Sequence, residues 1–339
     1  MGDRRQYAGF PQAFGFADTL RVPASDALHA AMRRLQQLPA RPPRRLDEIP
    51  ASRIAFNAAV ASALHAQDSI GAEAMPASAS RIEHHDGVAV LLVPPQGEVR
   101  GAVIHIHGGG WCLGDPRSLQ PALVGLARAT STLVASIDYR LAPEHRHPVA
   151  LQDCVRAVRS LTGQWRNEYG FDAGRVVLAG ESAGAHLALM ALPLLRDAGL
   201  RFAGASLNYG LFDLSNTLPS RAGTIASPLL DAGACRFYVE AYLGEGACVD
   251  VASSPWEWPQ KAFESLPPAM FCVGTADPLY DDSVGMHARW LAAGNEAWRV
   301  DYDAAPHAFD LLPVPEARHL ADMRVEFVRY CLGDITKPH

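Results

Sequence analysis

Hydrophobic and polar positions alternate in blocks along most of this chain. From residue 80 onward, short apolar runs of strand length separate longer segments in which apolar residues recur at helical spacing. The strand-like runs lie at 88–95, 101–107, 132–139, 175–182, 203–210, 269–276 and 297–303. The helical segments lie at 121–130, 150–163, 185–199 and 282–294. Apolar strands separated by helices predict βαβ units, and therefore a mostly parallel sheet with helices on both faces.

Two parts of the chain depart from this rhythm. Residues 1–70 are predicted to be helical, with a helix capped by Ser25, and residues 211–266 are inserted between two predicted strands. Their helices have apolar faces, so each must cover another surface. Packing on the flank of the sheet and a cap over a site are both open at this point. We therefore divide the chain into an N-terminal helical segment of 1–70, an α/β core of 71–210 and 267–339, and an insertion of 211–266.

Composition and charge narrow the class of protein. The 339 residues are 49% hydrophobic and 19% charged, with a formal net charge of −6. This composition argues against disorder, and the mild acidity argues against nucleic acid as a partner, because phosphate binding needs clustered Lys and Arg. No window approaches the ~20 apolar residues that span a bilayer. Six cysteines without CxxC or CxxH spacing predict neither a disulfide framework nor a metal site, and we expect a cytoplasmic protein.

The sequence Gly-Glu-Ser-Ala-Gly at 180–184 lies between a predicted strand and a predicted helix. In this context GxSxG forms a sharp turn that exposes the serine hydroxyl at the end of the strand, and the flanking small residues let strand and helix approach closely. The strand–turn–helix context makes the motif specific. Ser182 is therefore the predicted nucleophile.

A serine nucleophile needs a base, and the base needs an orienting acid. The chain order expected for this architecture is Ser, then Asp or Glu, then His. Asp277 ends a predicted strand, and His307 follows the last predicted strand, so both belong to the same sheet edge as Ser182. Asp281 and Asp282 are alternative acids, although they lie at the predicted beginning of a helix, where acidic residues suit the dipole.

Three consecutive glycines, Gly108, Gly109 and Gly110, follow the strand at 101–107. Acyl transfer develops negative charge on the carbonyl oxygen, and bare backbone N–H groups can stabilise that charge without a Cβ clash. A loop of this HGGG type and the residue after the nucleophile, here Ala183, supply such donors. We predict that two of the three glycines and Ala183 form the oxyanion hole.

These motifs together resemble the bacterial hormone-sensitive-lipase-like esterases. The resemblance rests on HGGGW at 107–111, DYRLAPEH at 138–145, GESAG at 180–184, DPL at 277–279 and HAF at 307–309, in the family's order and approximate spacing. It implies an α/β-hydrolase fold, with a mostly parallel sheet of eight strands and flanking helices. It also implies a catalytic core of 71–210 and 267–339, with a helical cap built from the N-terminal segment 1–70 and the insertion 211–266. It also implies a serine carboxylesterase that prefers short acyl chains. The chain departs from the family's usual Gly-Asp-Ser-Ala-Gly-Gly at Glu181 and Ala185.

The predicted activity is hydrolysis of a small-molecule acyl ester through an acyl-enzyme, without cofactor or metal. Trp111, Tyr209 and Phe212 are candidates for the substrate pocket. An amidase, arylformamidase or lactonase with the same triad is the alternative, and a non-catalytic hydrolase-fold binding protein is a further one. The sequence is compatible with a homodimer and leaves the natural ester open.

Overall fold

A sheet of nine strands forms the centre of the part of the chain that the computed structural model describes, residues 18–37, 43, 45–68, 80–222 and 229–334. The strands are β1 (Thr19–Val22), β2 (Arg81–His85), β3 (Val88–Val93), β4 (Ala102–Ile106), β5 (Leu133–Asp138), β6 (Val176–Glu181), β7 (Gly204–Asn208), β8 (Ala269–Gly274) and β9 (Ala297–Tyr302). Their order is β1-β9-β8-β7-β6-β4-β5-β3-β2. β3 is antiparallel to β2 and β5, and the other neighbouring pairs are parallel.

The sheet has one strand more than the eight we expected. All seven apolar runs form strands, β3 to β9, while β1 and β2 carry no apolar run. β2 is mostly polar and is held by a two-residue turn, Asp86-Gly87, in which both residues have positive φ. β1 lies in the segment predicted to be helical and pairs in parallel with β9, from Thr19 opposite Arg299 to Val22 opposite Tyr302. An otherwise open sheet edge, rather than local propensity, determines the conformation of β1.

Eight helices accompany the sheet within the described residues. They are α1 (Asp26–Leu35), α2 (Ile49–Asp68), α3 (Gln120–Thr130), α4 (Val149–Tyr169), α5 (Ala183–Asp197), α6 (Ala232–Leu243), α7 (Tyr280–Ala292) and α8 (Pro315–Cys331). No helix in this part of the chain is both long enough and apolar enough to cross a membrane.

Alternate residues of the central strands face two separate apolar layers. Ile104 and Leu178 pack in the layer that contains α4, α5 and α7, whereas Val103 and Val177 pack in the layer that contains α1, α3 and α8. Strand side chains point alternately to opposite faces, so continuous apolar strands require both layers. This arrangement is the predicted two-sided α/β architecture.

The N-terminal segment is divided between the core and the site. β1 belongs to the sheet, and α1 begins at the predicted cap, where Ser25 Oγ accepts a hydrogen bond from Leu28 N at 3.1 Å. The backbone N–H of Ser25 also donates to Glu316 of α8 at 2.6 Å, which holds α1 on the core. α2 adjoins the candidate site, because it packs on α3 and on the 3₁₀ turn Phe309–Leu311. The prediction that residues 1–70 are helical throughout is therefore wrong at β1.

The insertion between β7 and β8 is divided in the same way. Its helix α6 packs beside the glycine loop, since the ring of Tyr242 stacks on the indole of Trp111 with centroids 4.5 Å apart. Its later part contains the 3₁₀ turns Pro255–Glu257 and Gln260–Phe263, which pack on α5 and α7. The later part of the insertion therefore packs on two flanking helices, and α6 lies beside the glycine loop.

Candidate active site

Ser182 occupies a strained turn between β6 and α5. Its backbone has φ 54° and ψ −119°, a region that a residue with a side chain rarely adopts. A Cβ on Gly180 would lie 2.6 Å from the backbone of Gly184, and a Cβ on Gly184 would lie 1.9 Å from the carbonyl oxygen of Ile106. Both glycines are required because the first turn of α5 touches β6 and the end of β4. As predicted, the two glycines of GxSxG are needed because a larger side chain at either position would clash with neighbouring backbone.

The three predicted triad residues meet at one point. Oγ of Ser182 lies 3.0 Å from Nε2 of His307, and Nδ1 of His307 lies 2.8 Å from Oδ2 of Asp277. The other carboxyl oxygen of Asp277 accepts a hydrogen bond from the N–H of Leu279 at 2.8 Å. The carboxyl is fully buried. A carboxylate that accepts from Nδ1–H leaves Nε2 as an acceptor for the serine hydroxyl proton.

The two alternative acids hold the polypeptide rather than the imidazole. Asp282 is fully buried, accepts the N–H groups of Phe212 and Asp213 at 2.6 and 2.8 Å, and forms an ion pair with Arg221. Asp281 accepts the N–H of Ser220 at 2.7 Å. Both carboxylates therefore fix the insertion to the beginning of α7, and Asp277 is the acid in contact with His307.

The glycine loop presents unpaired amides beside Ser182. Gly109 and Gly110 have φ of +120° and +59°, and a Cβ on Gly108 would lie 3.4 Å from Cβ of Ser182. Among the described residues, no group accepts a hydrogen bond from the N–H groups of the three glycines or of Ala183. Free amides at this position can bind a negatively charged oxygen. The four predicted oxyanion residues thus lie together at the nucleophile.

His107 holds the base of this loop. Its Nδ1–H donates to the carbonyl of Gly108 at 2.8 Å, its ring stacks on Tyr139, and the Tyr139 hydroxyl donates to its backbone carbonyl at 2.9 Å. Burial lowers the pKa of His107 to about 4. The imidazole is therefore neutral at pH 7 and has a structural role.

The three predicted pocket residues have different positions. Tyr209 lines the cavity beside His307, with ring centroids 5.0 Å apart. Trp111 lies in the cavity wall, but its side chain is completely buried, and its indole N–H donates to His186 at 3.2 Å. Phe212 is in the core against Phe271 and does not line the cavity, so its prediction is wrong. The Phe212 side chain packs in the core cluster that contains Phe271, so it does not reach the cavity.

A cavity of about 730 Å³ extends from the reactive atoms. Ser182, His307, the glycine loop and Tyr209 line one part of it. The rest is lined mainly by apolar residues of α2, α3, α6 and α8, including Phe56, Val60, Leu126, Tyr238, Val325 and Val328. The aromatic residues Phe10, Phe14 and Phe16 of the N-terminal segment lie outside the described residues.

Sequence reasoning missed a buried polar cluster next to the nucleophile. Oε2 of Glu181 accepts a hydrogen bond from Nε2 of His105 at 2.7 Å, and Oε1 lies 3.4 Å from the Arg324 guanidinium. Burial alone would raise the pKa of Glu181, but His105 and Arg324 outweigh it and lower the pKa to about 2. The departure from the family motif at Glu181 was the available signal, whereas nothing in the sequence marks Arg324.

Comparisons with known proteins agree on one family. Residues 103–311 match a family described as alpha/beta hydrolase fold. The chain is 34% identical over 209 residues to "Esterase LipI" of Mycobacterium tuberculosis, covering 59% of this chain and 62% of that protein, which is less than two thirds of its length. It is 33% identical over 239 residues to "Acetyl-hydrolase" of Streptomyces hygroscopicus, covering 68% and 76%.

A solved structure extends the likeness over nearly the whole chain. An esterase from the bacterial hormone-sensitive lipase family has a TM-score of 0.75 and 27% identity, covering 91% of this chain and 99% of that one. The likeness to this structure therefore extends well beyond residues 103–311, which the family model matches.

Substitution of Gly184 by alanine should destabilise the protein by about 3 kcal/mol or more, because the added Cβ would meet the backbone of Ile106 and His107, which cannot yield. The matched control is Gly163→Ala, in the middle of α4, where no atom lies within 4 Å of the added Cβ. Alanine should stabilise that helix by about 0.5–1 kcal/mol. Urea unfolding of both variants measures the contrast, and equal stabilities would contradict the close approach of α5 to β4.

The stability advantage of the wild type over Glu181→Gln should shrink as the pH falls from 6 to 3. The folded pKa of about 2 is below the ordinary 4.5, so the unfolded chain takes up the proton first. The ionised carboxylate therefore stabilises the fold above about pH 4.5, and this contribution is lost as the pH falls towards 2. Urea unfolding at several pH values measures the difference in free energy of unfolding between the wild type and Glu181→Gln. Glu168→Gln, on the exposed face of α4, is the control. A difference that does not vary with pH would refute the assignment.

Proposed function

This chain belongs to the α/β-hydrolase family, among the esterases related to hormone-sensitive lipase, and from that premise we propose that it is a serine carboxylesterase acting on short-chain acyl esters. The observation that carries the proposal is the continuous contact from Ser182 through His307 to Asp277, at 3.0 and 2.8 Å. Nucleophile, base and orienting acid have the mutual geometry that acyl transfer requires.

In the proposed acylation step, Nε2 of His307 takes the hydroxyl proton as Ser182 Oγ attacks the ester carbonyl carbon. Asp277 keeps the proton on Nδ1 and stabilises the imidazolium that forms. The free amides of the glycine loop and Ala183 bind the oxyanion. His307 then returns its proton to the alcohol oxygen, the C–O bond breaks, and the alcohol leaves an acyl-Ser182 ester.

In the proposed deacylation step, water replaces the alcohol. His307 removes a proton from the water as its oxygen attacks the acyl carbon, and the same amides bind the second oxyanion. The proton then passes from His307 to Ser182 Oγ, which leaves as the free hydroxyl, and the carboxylic acid is released. Each step uses the same geometry in opposite directions.

The choice of a short acyl group is supported by the relatives. The Streptomyces protein is named an acetyl-hydrolase, and the related Salmonella proteins are named acetyl esterases. A short acyl group would fill only a small part of the cavity of about 730 Å³, so the remaining volume is available to a larger, mainly apolar alcohol.

Replacement of Ser182 by alanine should lower kcat on p-nitrophenyl acetate by at least about 10⁴-fold, and Asp277→Asn should lower it by about 10⁴-fold. The serine variant lacks the nucleophile, and the asparagine variant favours the wrong imidazole tautomer. A fluorophosphonate probe should label the wild type and not Ser182→Ala. Wild-type turnover in the serine variant, or an unlabelled wild type, would refute the proposal.

The same preparations identify the acyl bond. We expect short p-nitrophenyl esters to be better substrates than N-formyl anilides or lactones, and kcat/KM on the three classes measures the preference. The opposite ranking, with Ser182→Ala inactive, would replace the esterase by an amidase, arylformamidase or lactonase with the same triad.

A larger side chain at position 125 should lower kcat/KM for esters of bulky alcohols more than for esters of small alcohols. Gly125 lies on α3 in the cavity lining, and no atom lies within 4 Å of an added Cβ, so leucine would take its volume from the cavity. We expect Gly125→Leu to lower kcat/KM for 1-naphthyl acetate by about tenfold, and for ethyl acetate by less than about twofold. The control Gly163→Leu, on α4 and away from the cavity, should change neither. Equal losses on both esters would contradict this use of the cavity.

A further inference from the structure

The nucleophile and its base belong to strands that are not neighbours in the sheet. β7 and β8 separate β6, whose end carries the Ser182 turn, from β9, whose end leads to His307. The hydrogen bond from His307 to Asp277 ties the imidazole to the loop after β8, not to the nucleophile turn. Backbone hydrogen bonds link β6 to β9 through β7 and β8, as from Ser182 N to Asn208 O at 3.0 Å and from Ala276 N to Ala305 O at 3.1 Å. A direct side-chain link between the turn and the histidine loop would further fix the separation that gives 3.0 Å between Oγ and Nε2.

Arg324 of α8 connects these two loops. Its guanidinium lies 3.4 Å from Glu181, the residue before the nucleophile, and 3.0 Å from Asp310, which follows His307 by three positions. Glu181 is also held by His105 of β4. The His105 imidazole forms hydrogen bonds with Glu181 at 2.7 Å and with Ser136 Oγ at 2.9 Å. One guanidinium therefore bridges the residue before the serine and the segment after the histidine.

Tyr209 strengthens the histidine end of this bridge. Its hydroxyl donates to Asp310 at 2.6 Å, and its ring meets the His307 imidazole edge to face with centroids 5.0 Å apart. Tyr209 follows β7, so the bridge includes a strand that lies between β6 and β9. The contacts run continuously from the turn before Ser182 to the ring that borders His307.

We propose that Glu181, Arg324 and Asp310 are positioning residues that set the distance between Ser182 and His307. The inference rests on the proposed roles of that serine and histidine. None of the three positioning residues needs to touch the ester. Their function is to keep the base within hydrogen-bond reach of the nucleophile.

The charges explain why the guanidinium is the critical member. The side chains of Glu181, Asp310 and Arg324 are only 17, 12 and 20% exposed, so water screens their charges weakly. Two carboxylates sharing one cation are drawn together, whereas without the cation they repel each other. Loss of Arg324 would therefore push the nucleophile turn and the histidine loop apart.

The experiment compares Arg324→Met with the wild type on p-nitrophenyl acetate. We expect kcat per active site to fall by about 10- to 100-fold while KM changes by less than about threefold, because misplacement of the base affects chemistry more than binding. Titration with a fluorophosphonate probe counts the active sites, and thermal unfolding reports stability. A merely structural role would lower the unfolding temperature without changing kcat per active site.

The matched control is Arg329→Met on the same helix. Arg329 forms an ion pair with Glu326 at 3.0 Å and donates to the carbonyl of Ala129 at 2.7 Å, on contacts separate from the triad. This variant should lose stability while keeping wild-type kcat. Arg324→Lys should recover part of kcat, since the ammonium keeps the charge but not the planar fork. Glu181→Gln combined with Arg324→Met should be no slower than Arg324→Met alone.

A wild-type kcat per active site in folded Arg324→Met would overturn the proposal. If that variant does not fold, Arg324→Lys and Glu181→Gln decide: a lower kcat at unchanged KM supports the bridge, and wild-type kcat in both overturns it. Failure of the proposed function itself looks different, because Ser182→Ala and His307→Ala would then remain active.

Discussion

The chemistry of this protein depends on how closely the first turn of α5 packs against the end of β4. A Cβ at Gly184 would lie 1.9 Å from the carbonyl oxygen of Ile106, so only glycine permits the contact. This contact brings the strained Ser182 beside the loop that follows β4, where the amides of Gly108, Gly109 and Gly110 donate to no other group among the described residues. The proposed nucleophile and the proposed oxyanion donors are therefore neighbours because two backbones touch.

The polar groups around this contact divide into supports and reactive groups. His107, with its pKa lowered to about 4 by burial, stays neutral and holds the loop, and Asp281 and Asp282 hold the insertion. Within the described part of the chain, His307 is the residue that joins the buried carboxylate of Asp277 to the serine hydroxyl. A fixed, preorganised polar environment of this kind lowers the cost of charge development during acyl transfer.

The insertion contacts the glycine loop and also lines the cavity. A Cβ on Gly110 would meet the ring of Tyr238 at 2.5 Å, and Trp111 is stacked on Tyr242, so α6 fixes the far end of the glycine loop. The later part of the insertion packs on α5 and α7 instead. A change in α6 would therefore alter both the shape of the cavity and the position of the oxyanion amides.

The sequence by itself determined the two-sided α/β fold and the seven strands from β3 to β9, because the periodicity of apolar residues is a local signal. It also predicted a triad and an oxyanion hole, from motif spacing and chain order. Only the tertiary structure decided the strand at Thr19–Val22, the burial of Phe212 and the bridge through Arg324. These features depend on pairing and ion contacts between residues far apart in the chain. A strand at a sheet edge and a buried carboxylate each pair with residues that are near in the folded structure but distant in sequence. A local sequence pattern therefore cannot predict these partners.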